Sequence, residues 1–374
     1  MESPFVFIKE VVGDNFVGRK EELNWLSSNM LNNQNSVIIA PSRYGKTSLV
    51  RTAQLQAQKQ DLTIKFCFID LFNVRDALSF YKKFASEAVK SVAGTVDDWQ
   101  LYTDEFFPTL TPRVVINDKI NSVKLEFDKL TENPSECIDF FQNYAEKYDS
   151  KIVVCIEHFH NILDFEESNK FQKQLAKTMK NAGKVAYIVS GDKKNAMKEM
   201  FQTPRNPFNN FGDIFFPEPI DEKLFADYIV KLFSRSGRVI KKEQAERLCL
   251  YVKAYPYYVQ LFSDIIWNNT KGFVTDQTIE ISEKQLLEYC HQEFLFKIDT
   301  LSLSQINYLR AIIDGVDRFC SAESIHMYGL NSSSNVARVK SALIKKEVLE
   351  YDRYKPYFLD PVFELWLKKV YFYE

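Results

Sequence analysis

The chain has 374 residues, 45% of them hydrophobic, and a formal net charge of −2. That length implies roughly two or three domains, and the near-zero charge supplies no global field to attract nucleic acid or anionic lipid. No apolar run approaches the ~20 residues of a membrane span, the N-terminus lacks the basic start and long apolar core of a signal peptide, and six scattered cysteines without a Cys-x-x-Cys fit reduced thiols in a cytoplasmic protein.

Residues 15–26 read as a turn followed by an amphipathic helix with Leu23, Trp25 and Leu26 on its apolar side. Next comes Ser36-Val-Ile-Ile-Ala-Pro-Ser-Arg-Tyr-Gly-Lys-Thr-Ser-Leu49, in which a β-branched run meets a tight polar loop and then a helix-compatible segment. Strand, loop and helix in that order are the context of a phosphate-binding loop, with Ala40 where the pattern has its first glycine. Gly45 can turn successive amides toward a phosphate. Lys46 would reach the β/γ-phosphates, the Thr47 hydroxyl would bind Mg²⁺, and the helix N-terminus favours the anion. The plainer alternative is a chance Gly-Lys-Thr at a helix start.

Helix continues to about Gln60, and the apolar run Ile64–Leu71 reads as a buried parallel strand. Residues 74–93 read as a helix with Leu78, Tyr81, Phe84, Ala85 and Val89 on one face. Residues 94–133 read as an irregular insertion with a helix near 120–130. A helix then runs from Ser135 to about Tyr148, a buried strand from Lys151 to Glu157, a helix from Phe165, and further strands over Val185–Gly191 and Asp213–Pro217. Alternating strands and helices predict an α/β domain with a parallel sheet.

After Pro219 the pattern becomes helical to about Thr300, which predicts a small all-α unit. The tail then reads as three helices, a hairpin spanning residues 348–359 and a last helix opened by Asp360-Pro361. That is the order of a winged helix-turn-helix. The expected domains are 1–219, 220–300 and 301–374.

Taken together, Phe16-Val-Gly-Arg-Lys-Glu-Glu-Leu23, Ala40–Thr47, Ile152-Val-Val-Cys-Ile-Glu157, Val189-Ser-Gly191, Ala254-Tyr-Pro-Tyr-Tyr-Val-Gln260 and Leu359–Leu367 give the chain a family likeness. It resembles the prokaryotic AAA+/STAND-type P-loop ATPases, the archaeal- or Bacteroides-type ATPases with a C-terminal winged helix, over nearly its whole length. Origin-recognition ATPases share the broad layout. The resemblance implies a P-loop core, a helical lid and a bound ATP or ADP with Mg²⁺. It implies that Val17, Gly18 and Arg19 lie near adenine and ribose, and that Ala40, Pro41, Ser42, Arg43, Tyr44, Gly45, Lys46, Thr47 and Ser48 hold the phosphates. It further implies that Asp192 occupies a sensor position and that Pro256 and Tyr257 place a lid helix over the nucleotide.

The chain departs from that pattern where hydrolysis is concerned. An active member ends its second acidic strand in Asp-Glu, the first ordering Mg²⁺ and the second the attacking water. Here the strand ends Glu157-His158. Glu157 can still hold Mg²⁺ through water, and a neutral His158 can accept a proton near pH 7. Asp192 would repel a γ-phosphate unless Mg²⁺ or Lys193 offsets it. The expectation is nucleotide binding with weak or absent hydrolysis. Arg205 is open between an arginine finger and a solvated loop residue. His158 and His160 with Glu157 also permit a metal reading, although no further ligand is evident.

The helix at residues 333–346 carries Arg338, Lys340, Lys345 and Lys346 without an acid, which suits a DNA major groove. A solvated face or a protein-docking surface explains the same residues. A nucleotide-dependent switch, a DNA-binding regulator with a vestigial pocket and a protein-interaction scaffold therefore stand as the three readings.

Overall fold

The computed structural model describes residues 2–107, 112–117, 122–127 and 135–373. The chain divides into two compact units, one formed by Arg19–Glu218 and the other by Met1–Gly18 with Pro219–Glu374.

The first unit runs α1 (Lys20–Leu31), β1 (Ser36–Ile39), α2 (Lys46–Gln60), β2 (Lys65–Asp70), α3 (Ala77–Val92), α4 (Val96–Phe106), β3 (Pro112–Asn117), β4 (Ser122–Phe127), α5 (Ser135–Lys147), β5 (Ile152–Glu157), α6 (Ser168–Asn181), β6 (Val185–Gly191), α7 (Lys194–Gln202) and β7 (Asp213–Phe215). Five strands form a sheet in the order β2-β5-β6-β1-β7, and every neighbouring pair is parallel. β1 and β6 are buried at every position, and β5 at every position but Glu157. Continuous apolar runs are what strands covered on both faces require. Because the strands are parallel, their C-terminal ends share one edge. There Asp70 pairs in register with Glu157, and Ile39 with Gly191. The chain leaves β1 for β2 at the far edge of the sheet and later adds β7 on the other side of β1. The crevice outside the carboxyl ends at such a switch point is where open α/β sheets take ligands.

Phenylalanine builds much of this unit's core. Phe80 and Phe84 stack with ring centroids 5.6 Å apart, and Phe171 meets Phe80 edge-on at 5.0 Å. The buried face of α3 is Phe80, Tyr81, Phe84, Ala85, Ala88 and Val89. Leu78, expected on that face, is 51% exposed, because a helix starting at Ala77 turns its second residue outward.

The segment 94–133 departs from expectation. Among its described residues, Thr95 and Asp98 form a capping box that starts α4, and β3 and β4 make an antiparallel hairpin. The helix expected near 120–130 is the strand β4, while Ile120 and Leu130 themselves lie outside the described residues. The alternation Val123-x-Leu125-x-Phe127 is a period-two signal. Leu125 and Phe127 are buried, and Ser86 Oγ donates to the Leu125 carbonyl at 2.6 Å.

The second unit contains α8 (Glu222–Arg235), α9 (Lys242–Tyr251), α10 (Pro256–Asn269), α11 (Asp276–Asp299), α12 (Leu303–Ile313), α13 (Ala322–Met327), α14 (Ser333–Lys345), the antiparallel pair β8 (Leu349–Asp352) and β9 (Lys355–Phe358), and α15 (Pro361–Trp366). Asp360 caps α15 by accepting from the Val362 and Phe363 amides, and its other oxygen accepts from Tyr258 Oη at 2.8 Å. The N-terminal segment belongs to this unit: Phe5 packs on Phe233, the Val6 amide donates to Gln260 Oε1, and Phe7 meets Tyr257 and Tyr289 edge-on. Among the described residues no helix is long and apolar enough to cross a membrane.

Candidate phosphate-loop site

The loop after β1 leads directly into the N-terminus of α2. Ala40 is buried, and its amide donates to the Gly191 carbonyl, tying the start of the loop to the end of β6. Pro41, Tyr44, Gly45, Lys46, Thr47 and Ser48 are half-buried, while Ser42 and Arg43 are exposed. Gly45 takes φ +84° as the residue before α2, a conformation open to glycine without steric cost. No side chain caps α2, and a helix N-terminus attracts an anion. Lys46 folds back over the loop, its Nζ donating to the carbonyls of Ala40 at 2.9 Å and Pro41 at 2.8 Å.

Arg19 approaches this loop from the start of α1. It holds a left-handed backbone, φ 54° and ψ 35°. Its guanidinium lies over the Tyr44 ring, 4.9 Å from the centroid, and Nη1 donates to the Tyr44 carbonyl at 2.8 Å.

At the C-terminal edge of the sheet the acidic strand end is organised by residues that local sequence does not join. Glu157 is half-buried, and its Oε1 has no hydrogen-bond partner among the described residues. An orphaned carboxylate oxygen suits a divalent cation or its hydration water. His158 leaves the strand in a left-handed conformation, φ 53°. Its Nδ1 lies 2.7 Å from Asp70 Oδ1. That hydrogen bond raises the imidazole pKa and lowers that of Asp70. His160 is buried, with Nε2 3.2 Å from Asp192 Oδ1 and Nδ1 unpartnered. Burial lowers its pKa to about 4, so at neutral pH the ring is neutral and carries a single proton.

Lys193 pairs with Asp164 at 3.8 Å, and the group beside Asp192 is His160 Nε2 at 3.2 Å. The two histidines do not form a metal pair. Their rings are 6.2 Å apart, each tied to a different carboxylate, because the strand ends at Glu157 and its alternation ends with it. Among the described residues no group of three or more His, Cys, Asp or Glu is placed to hold a metal ion. Asp70 was the residue missed by sequence reasoning, although an acid closing a second buried strand was a readable signal.

No protein-family model matches the chain, and no curated protein matches it by sequence. Its backbone is nevertheless similar over nearly its whole length to solved structures. The Walker-type ATPase PABY2304 of Pyrococcus abyssi aligns with 97% of this chain and 99% of its own, at 14% identity and TM-score 0.72. The Aeropyrum pernix ORC2 protein in its ADPNP–ADP complexes aligns with 95% of this chain and 93% of its own, at 10% identity and TM-score 0.62.

This is the fold of the P-loop AAA+ ATPases.

Within that fold the remaining expected positions fall as follows. Val17 and Gly18 end the N-terminal segment of the second unit. Pro256 opens α10 at its first turn, and Tyr257 packs against Phe7. Arg205 is exposed in a turn after α7. On α14, Arg338 donates to Asn335 Oδ1 at 2.6 Å, Lys340 Nζ sits 3.6 Å over the Tyr351 ring, Lys346 just beyond the helix donates to the Thr300 carbonyl, and Lys345 is exposed.

Proposed function

We propose that this chain is a nucleotide-dependent switch that binds ATP or ADP with Mg²⁺ on the Ala40–Ser48 loop and hydrolyses ATP weakly or not at all. The observation that carries the binding half is Lys46 folded over a loop that ends in a left-handed Gly45 and an uncapped helix. An ammonium, a left-handed glycine turn and a helix N-terminus meet in this loop, and each suits an anion. Thr47 and Glu157 are the residues that would hold Mg²⁺, which when bound neutralises phosphate charge.

The hydrolysis half rests on the engaged histidines. A group that activates water needs a free lone pair aimed at it. His158, in the position of the activating carboxylate, has its Nδ1 committed to Asp70, and an imidazole differs in length and geometry from the carboxylate it replaces. Asp192 lies 3.2 Å from His160 Nε2. Positioning groups of this kind supply large rate factors, so their diversion leaves a slow or silent enzyme. We read residues 220–300 as the lid and α12–α14 with the β8–β9 hairpin as a winged helix. This is a STAND-like arrangement in a cytoplasmic protein, with the C-terminal unit as the output that meets a protein partner. A DNA partner draws less support, since Arg338, Lys340 and Lys346 each have an intramolecular partner.

Calorimetric titration with Mg-ATP and Mg-ADP tests the proposal. The expected result is saturable binding that Lys46→Ala weakens at least about tenfold, roughly the worth of one charge-assisted phosphate contact, with turnover far below about 1 s⁻¹. A wild-type protein that binds neither nucleotide contradicts it.

A further inference from the structure

Arg19 is 7% exposed, and two of its nitrogens, Nε and Nη2, have no hydrogen-bond partner among the described residues. A buried guanidinium with no carboxylate bonded to it is costly, and a native structure that keeps one calls for an explanation. The costs extend to the backbone, because a left-handed conformation at a non-glycine residue carries strain.

The location of the group supplies the explanation. Nη1 holds the Tyr44 carbonyl at 2.8 Å, and a Cβ built on Gly45 would sit 3.2 Å from the same nitrogen. The guanidinium therefore lies against the last residues of the loop, immediately before the uncapped first turn of the 15-residue helix α2. A buried guanidinium with two unpartnered nitrogens and a helix N-terminus favour the same kind of partner.

We infer that Arg19 is a phosphate-binding residue of this loop: its Nη1 braces Tyr44, and its Nε and Nη2 donate to an oxygen of the bound nucleotide's phosphate chain. The inference rests on the nucleotide reading above and changes one assignment within it, since the family resemblance put Arg19 beside adenine and ribose. Arg-phosphate forks are bidentate and planar, and the two unpartnered nitrogens are adjacent members of that fork.

Calorimetry with three probes tests it: inorganic pyrophosphate, ADP and adenosine, each titrated into the full-length chain as wild type, Arg19→Met and Arg19→Lys. Pyrophosphate and ADP affinity should fall roughly 10- to 100-fold in Arg19→Met, and adenosine affinity should hold. Arg19→Lys, which keeps the charge but not the fork, should fall between and serves alone if the methionine variant does not fold. An equal loss for adenosine and ADP would assign Arg19 to the nucleoside and overturn the inference. Unchanged pyrophosphate affinity with only a lowered melting temperature would reduce Arg19 to a brace and overturn it too. Failure of the wild type to bind pyrophosphate or ADP would instead sink the nucleotide reading itself.

Discussion

The burial of His160 makes the protein's stability depend on pH. The His160 pKa of about 4 lies below the ~6.5 of an exposed histidine, so between those values the unfolded chain binds the additional proton. Its contribution to stability is complete above about pH 6.5 and is lost as pH falls toward 4, up to about 3 kcal/mol. Denaturant unfolding at pH 7 and pH 5 should show the wild type losing more stability than His160→Gln, and parallel losses would contradict the assignment. Cysteine chemistry gives a second prediction. Cys67, Cys137, Cys155, Cys249 and Cys290 are buried and Cys320 is exposed, and burial pushes the Cys137 and Cys249 thiols up to about 12. A native protein treated with an aromatic disulfide should release one equivalent quickly and the rest only on unfolding. Legibility at this scale followed sequence distance. Gly45, Lys46 and Thr47 were readable because a phosphate loop is a local motif. The pairing of His158 with Asp70 was not, because 88 positions separate them and only the β2–β5 register joins them.

At the scale of elements, strands were readable as apolar runs and most helices as apolar stripes, with boundaries moving by a few residues. α11 begins at Asp276 behind a Thr275 cap. The failures were in the 94–133 segment, where a Thr-x-x-Asp box and a period-two run were both present but set among polar residues and prolines. How β7 joins β1 was also invisible. The Asn35 carbonyl accepts from the Asp213 amide at 3.1 Å, and a Cβ on Gly212 would lie 2.2 Å from that same oxygen. Backbone cannot yield as a flexible side chain can, so Gly212→Ala should destabilise the α/β unit by on the order of 2–4 kcal/mol. Thermal unfolding reads the outcome, and a variant within about 0.5 kcal/mol of wild type would show that this close approach is not needed.

For the whole molecule, the return of the first eighteen residues to the C-terminal unit makes stability there depend on residues far away in sequence. Phe5 is 6% exposed and packs on Phe233, and burying such a ring contributes several kcal/mol. Phe5→Ala should therefore lower the melting transition of the C-terminal unit by several degrees, followed by tryptophan fluorescence of Trp267 and Trp366. No shift would mean that the segment is dispensable. The fold was legible at this scale because the order of sheet, helical segment and tail is written in composition and periodicity, whereas the path of the N-terminal segment depends on packing alone. The central claim concerns the loop from Ala40 to Ser48, and the nucleotide content of the purified protein tests it most directly. Acid release and chromatography, with Mg-ATP and Mg-ADP titrated into stripped protein, should recover ATP or ADP or restore near-stoichiometric binding that Lys46→Ala weakens at least about tenfold. A stripped protein that takes up neither nucleotide, and behaves identically with Lys46 replaced, would contradict it.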